Sequence, residues 1–155
     1  MKEALIMIIT SFVATMGFAL AFRIKPGHLL WATVGGTLTC AIYVVFDSLG
    51  ASLFLSNFIA SLCSVLYASV LARVLKTPAT IFVSACIIPL APGGSLFYTM
   101  NNLIMWNKDN FLLHGSNTLK VALGIAGGIV VESAIAYLIA KAVAASKSRK
   151  TKKGL

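Results

Sequence analysis

Apolar residues run through this chain in long, almost charge-free blocks rather than in alternation. Uncharged stretches cover residues 4–22, 29–46, 51–72, 77–107 and 121–140, the last interrupted only by Glu132. A helix needs about 20 residues to cross roughly 30 Å of hydrocarbon, so every block is long enough for a span. Continuous apolarity without a period of two selects helices over a transmembrane barrel. The pattern therefore predicts an all-α, polytopic membrane helix bundle with about five transmembrane helices. Short interruptions between blocks make consecutive helices antiparallel neighbours. Pro26-Gly27 marks the first turn. Ser48 or Ser52 is available to cap the third helix, and Pro78 suits the first turn of the fourth. One sizeable loop is expected, over 106–117, with Trp106 as an interfacial anchor.

The fourth block departs from a simple span. Its 31 residues would extend about 46 Å as one helix, well beyond the hydrocarbon thickness. At its middle stands Pro89-Leu90-Ala91-Pro92-Gly93-Gly94-Ser95. Two prolines remove backbone donors and clash with the preceding turn, and two glycines add freedom. A broken helix follows, with arms near 79–88 and 95–105 and the break near mid-membrane. Unwound backbone at that depth is tolerated only inside protein or along a wet cavity. The second arm would open with free amides on Gly94, Ser95 and Leu96, at the positive end of a helix dipole. Such an end suits an anionic group, as at transporter sites for substrate carboxylates. Pro92, Gly93, Gly94 and Ser95 are thus candidate substrate contacts. Tyr98 and Asn101 are added further along the arm, because Asn101 shares the face of Gly94. A proline kink without any ligand is the plainer alternative.

The other helices carry faces of small residues that let backbones approach closely in lipid. Thr10, Ala14, Gly17 and Ala21 line the first helix, Asn57, Ser61, Ser64 and Ala68 the third, and Gly124, Gly128, Glu132 and Ala136 the fifth. A carboxylate within such a face changes its meaning. Placing a charge at the centre of a span costs roughly 2.5–3.5 kcal/mol or more, so Glu132 must be protonated or find a polar partner. Asn57, Ser61 and Ser64 are the candidate partners and the candidate lining of a pathway. Glu132 itself is the candidate proton-coupling residue; a protonated glutamate tying two helices together is the structural alternative.

Composition narrows the class further. The chain is 59% hydrophobic and only 11% charged, too little polar surface to coat a soluble fold. The formal net charge of +9 is distributed unevenly. Arg23, Lys25, Arg73, Lys76 and the cluster from Lys141 to Lys153 would share one side of a five-span bundle, opposite Lys2, Lys108 and Lys120. Basic residues stay cytoplasmic, which puts the N-terminus outside and the C-terminus inside. Residues 1–145 form the transmembrane domain, and 146–155 a basic, disordered cytoplasmic tail drawn to anionic lipid. The tail lacks interleaved aromatics for base stacking, so no nucleic acid is implied. Cys40, Cys63 and Cys86 fall inside predicted spans without Cys-x-x-Cys spacing, which indicates neither a disulfide framework nor zinc. His28 and His114 belong to opposite sides and cannot share a metal. No Walker loop, metalloprotease helix or nucleophile elbow is present, so neither an enzyme nor a cofactor is expected. A cleavable signal peptide competes for the N-terminus on Ala19-Leu20-Ala21, against the length of the run and Glu3.

Two patches resemble the small-subunit half of the threonine/serine exporter family. One runs Phe22-Arg23-Ile24 through Leu29 and Ala32 to Gly35-Gly36-Thr37-Leu38 and Tyr43. The other is Pro89-Leu90-Ala91-Pro92-Gly93-Gly94-Ser95-Leu96-Phe97-Tyr98. Span count, length and order agree over nearly the whole chain; family members often have Val where Ala91 stands. The resemblance implies a subunit of a bacterial inner-membrane exporter for threonine and serine or a dicarboxylate such as succinate. It also implies a larger membrane subunit as partner, and a higher oligomer is compatible with it. A second five-span half would have inverted topology, an arrangement common among secondary transporters. Two other functions compete: a non-transporting membrane scaffold subunit, and an intramembrane enzyme acting on lipid, for which no nucleophile or metal cluster is visible.

Overall fold

The computed structural model describes residues 2–152, with side chains over 3–139 and at 141. Six helices follow in order: α1 Lys2–Ala21, α2 Pro26–Ser48, α3 Leu53–Leu75, α4 Ala79–Ile87, α5 Gly93–Ile104 and α6 Lys108–Lys152. No strand occurs among the described residues. Four helices are long and apolar enough to cross a membrane, or five spans if the α4/α5 pair, bent by 57°, is counted as one. This is a multi-pass helical membrane bundle.

Each turn has a local cause. Pro26 begins α2 at a position where a proline's missing N–H is no loss. Ser52 caps α3, its hydroxyl accepting the Leu55 amide at 3.3 Å. Gly50 supplies the positive φ of +76° that closes the preceding turn. Pro78 stands just outside α4 as its N-cap residue.

The spans pack through small residues. Thr15 of α1 lies against Gly36 of α2, where an added Cβ would collide with the threonine side chain. Gly35, on the neighbouring face, lets Cys86 of α4 and Tyr67 of α3 approach, and Tyr67 donates its hydroxyl to the Trp31 carbonyl at 3.0 Å. Buried Thr15, Thr33 and Thr39 satisfy their hydroxyls on carbonyls one turn earlier, at 2.7–2.9 Å. Around Phe82 the apolar core gathers Ala19, Ala32, Ala68, Leu71, Ala72 and Ala85. It lies at the end of the bundle away from the N-terminus.

The closest helix pair is α3 with α6. Gly124 faces Phe54, Asn57 and Phe58, and Gly128 faces Phe58, Ser61 and Leu62. Four residues on α6 thus match four on α3, so the two run parallel, as the third and fifth spans of a bundle must.

Three expectations need correction. The loop expected over 106–117 is helical from Lys108 onward, because Asn107 caps α6 by accepting the Asn110 amide at 3.3 Å. The unstructured tail expected from 146 is also helical through Lys152; residues 153–155 lie outside the described part. Finally, the break and Glu132 do not share a depth, for reasons that follow from the α3/α6 register.

Candidate functional site

The sequence-expected break is present. Residues Ile88–Leu90 form a single 3-10 turn, Ala91 leaves helical geometry, and α5 restarts at Gly93. Helix α5 begins two residues earlier than expected. Consequently the Leu96 amide, expected free, is bonded to the Pro92 carbonyl at 2.9 Å, and the Gly93 amide to Ala91 at 2.8 Å. The Gly94 and Ser95 amides make no backbone bond, as the first turn of a helix requires. An added Cβ at Gly93 or Gly94 would meet nothing within 4 Å, so the Cα side of both glycines faces open space.

A cavity of about 260 Å³ is lined by 89–95 together with Met7, Tyr43, Leu53, Asn57 and Val121. Asn57 is its buried polar group, 2% exposed. Its Nδ2 donates to the Leu53 carbonyl at 2.7 Å. That bond fixes the amide's orientation and leaves Oδ1 free to accept. The first turn of α5, Asn57 and Tyr43 are thus the polar contributors to the lining of a mostly apolar cavity.

The remaining candidates separate from this cavity. Ser61 packs under α6, its hydroxyl bonded to Phe58 at 3.0 Å and reaching the Gly124 carbonyl at 3.5 Å. Ser64 is buried with its hydroxyl unpartnered. Glu132 is 3% exposed. One turn beyond Gly128, it comes level with Val65, one turn beyond Ser61. No ion pair or hydrogen bond to its carboxylate forms among the described residues. It is eleven residues from Val121, or about 16 Å along α6. The break opens instead beside the first turn of α3. Tyr98 and Asn101 also lie outside the cavity and are exposed, with Tyr98 stacked on His114 at 5.2 Å.

Met7, Tyr43, Leu53 and Val121 were not candidates on sequence. For Tyr43 a signal existed: Gly36, Cys40 and Tyr43 form one face of α2, and Gly36 meets Thr15 of α1 on it. The other three are plain apolar residues brought in by helix register. Among the described residues no group of three or more His, Cys, Asp or Glu could hold a metal.

Long apolar helices and a bent α4/α5 pair define a multi-pass helical membrane protein. The chain belongs to the threonine/serine exporter family: the family model described as Threonine/Serine exporter, ThrE, matches residues 7–135. No curated relative and no solved structure matches the chain.

Proposed function

We propose that the chain is the membrane subunit of a secondary exporter for a small amino acid such as threonine or serine. It acts in the bacterial inner membrane with a larger partner subunit, with its N-terminus outside and its C-terminus in the cytoplasm. What supports the reading is that the first turn of α5, with no backbone partner for the Gly94 and Ser95 amides, and Asn57 line one cavity of about 260 Å³. The amides suit a carboxylate at a helix N-terminus, and Asn57 Oδ1, an acceptor, suits an α-ammonium. A dicarboxylate such as succinate would bring a second anionic end to that acceptor, which makes it the poorer fit. The volume lies below the usual range for drug-sized ligands, about 300–1,000 Å³, and favours a small metabolite.

Glu132 serves as the proton-coupling residue through helix packing rather than by touching substrate. A proton on it changes the charge buried between α3 and α6, and α6 carries Val121 at the cavity. The scaffold alternative finds support in the same carboxylate, which lies in a packed interface away from the cavity.

The test is efflux of labelled threonine, serine and succinate from cells producing the chain with and without its partner. Threonine and serine efflux should exceed that of succinate. Gly94→Leu should lower it at least tenfold, and Glu132→Gln should remove its dependence on the proton gradient. Wild-type efflux in both variants with altered assembly would support the scaffold role instead.

A further inference from the structure

The cavity at the break holds more polar chemistry than the head group of an amino acid uses. Its three polar contributors are the first turn of α5, Asn57 and Tyr43. The first two suit the carboxylate and the ammonium that every amino acid carries. Tyr43 is left over.

The α1/α2 contact sets where Tyr43 stands. It follows Cys40 by three residues on α2, so the two share a face. Cys40 donates its thiol to the Met7 carbonyl at 3.7 Å, and Met7 lines the cavity from α1. A long side chain on a helix leans toward the helix N-terminus. The half-buried Tyr43 ring therefore leans back toward Cys40, away from the end of α2 at Ser48. Tyr67 of α3 donates its hydroxyl to the Trp31 carbonyl at 3.0 Å. The Tyr43 hydroxyl, by contrast, has no hydrogen-bond partner among the described residues.

Met7, Leu53 and Val121 complete the lining from α1, α3 and α6 and offer only van der Waals contact. Such walls separate threonine from valine poorly, because the two differ by a hydroxyl against a methyl in nearly the same shape. A polar group in the wall separates them well. It pairs with the hydroxyl of one and is left unpaired by the methyl of the other.

We infer that Tyr43 is the specificity-determining residue, its hydroxyl pairing with a side-chain hydroxyl of the substrate, an assignment that rests on the cavity being the substrate site. It selects a hydroxylated amino acid over the aliphatic isostere. Tyrosine suits the task because its O–H both donates and accepts, and so meets another hydroxyl in either sense.

Efflux from cells producing the chain with its partner tests this. Labelled threonine and valine are loaded together, and each rate is taken relative to cells lacking the chain. The wild type should export threonine at least tenfold faster than valine. Tyr43→Phe keeps the ring and removes the hydroxyl. It should lower threonine efflux and raise that of valine, bringing the two within about twofold. Opposite movements in one variant exclude a mere loss of folded protein, which lowers both rates. Tyr43→Leu, which removes the ring as well, should show the same low ratio at whatever total rate it retains. Gly94→Leu should lower both rates. If it does so while Tyr43→Phe keeps the wild-type ratio, the assignment of Tyr43 is overturned and the site stands. If Gly94→Leu alters neither rate, the site and the assignment fail together. A ratio that collapses in Ser95→Ala but not in Tyr43→Phe gives the hydroxyl contact to Ser95 and overturns the assignment as well.

Discussion

At Gly128 two helices approach so closely that an added Cβ would run into Ser61 Oγ, the Phe58 carbonyl and the Leu62 amide. Two of these are backbone and cannot move aside. Gly128→Leu should therefore cost about 3 kcal/mol through overpacking, read as a lower thermal midpoint in detergent. Gly17 is the control, because nothing lies within 4 Å of its would-be Cβ. Gly17→Ala should change stability by less than about 0.5 kcal/mol. Both glycines stood in small-residue faces on sequence, and only the structure separates the tight contact from the empty one. Glu132 illustrates the same division. Its burial was expected from its position in a glycine face. Its separation from the break was not, since depth along one helix carries no information about register against another.

At the scale of elements, the break was legible because two prolines and two glycines cannot continue a helix of 31 apolar residues. The position of the restart was less so. Pro92 takes the N-cap position and accepts the Leu96 amide at its carbonyl, so α5 gains a turn that a count of glycines would leave unwound. Pro92→Ala restores a donor and removes the ring that stops α4 from continuing. It should straighten the α4/α5 bend below its present 57° and reduce threonine efflux at least tenfold with little loss of folded protein. Distance measurement by paired spin labels at Ala79 and Ile104 checks the geometry, because a straighter pair moves its ends apart. The segment 106–117 was misjudged as a loop for a different reason. Its polar residues satisfy the expectation of an extramembrane position, yet the segment is helical from Lys108 and packs on α5 through His114. Polarity reports exposure to water, not absence of helix.

For the whole molecule, the topology proposed from the charge pattern can be read by labelling. With the N-terminus outside, Gly50→Cys should react with an impermeant maleimide in intact cells, and Lys76→Cys only after permeabilisation. A cysteine at Trp106, 85% exposed at the arm's tip, should react like the one at Gly50. Reversal of the pattern would invert the assignment of cavity and tail to their compartments, leaving the bundle itself unaffected. The same arrangement places a small cavity near one end of the bundle and a buried acid further along α6.

What the sequence determined by itself was set by the solvent and by local chemistry. Runs of about 20 apolar and almost uncharged residues, repeated along the chain, have no stable place except a bilayer. Proline and glycine interrupt a helix wherever they fall together, and a buried acid needs protein around it. Tertiary structure decided which residues meet. Parallel packing of α3 on α6 brought Asn57 and Val121 to the break and carried Glu132 about 16 Å away. That packing depends on the fit of Gly124 and Gly128 against a particular ridge of α3, and many registers share the same hydrophobic pattern.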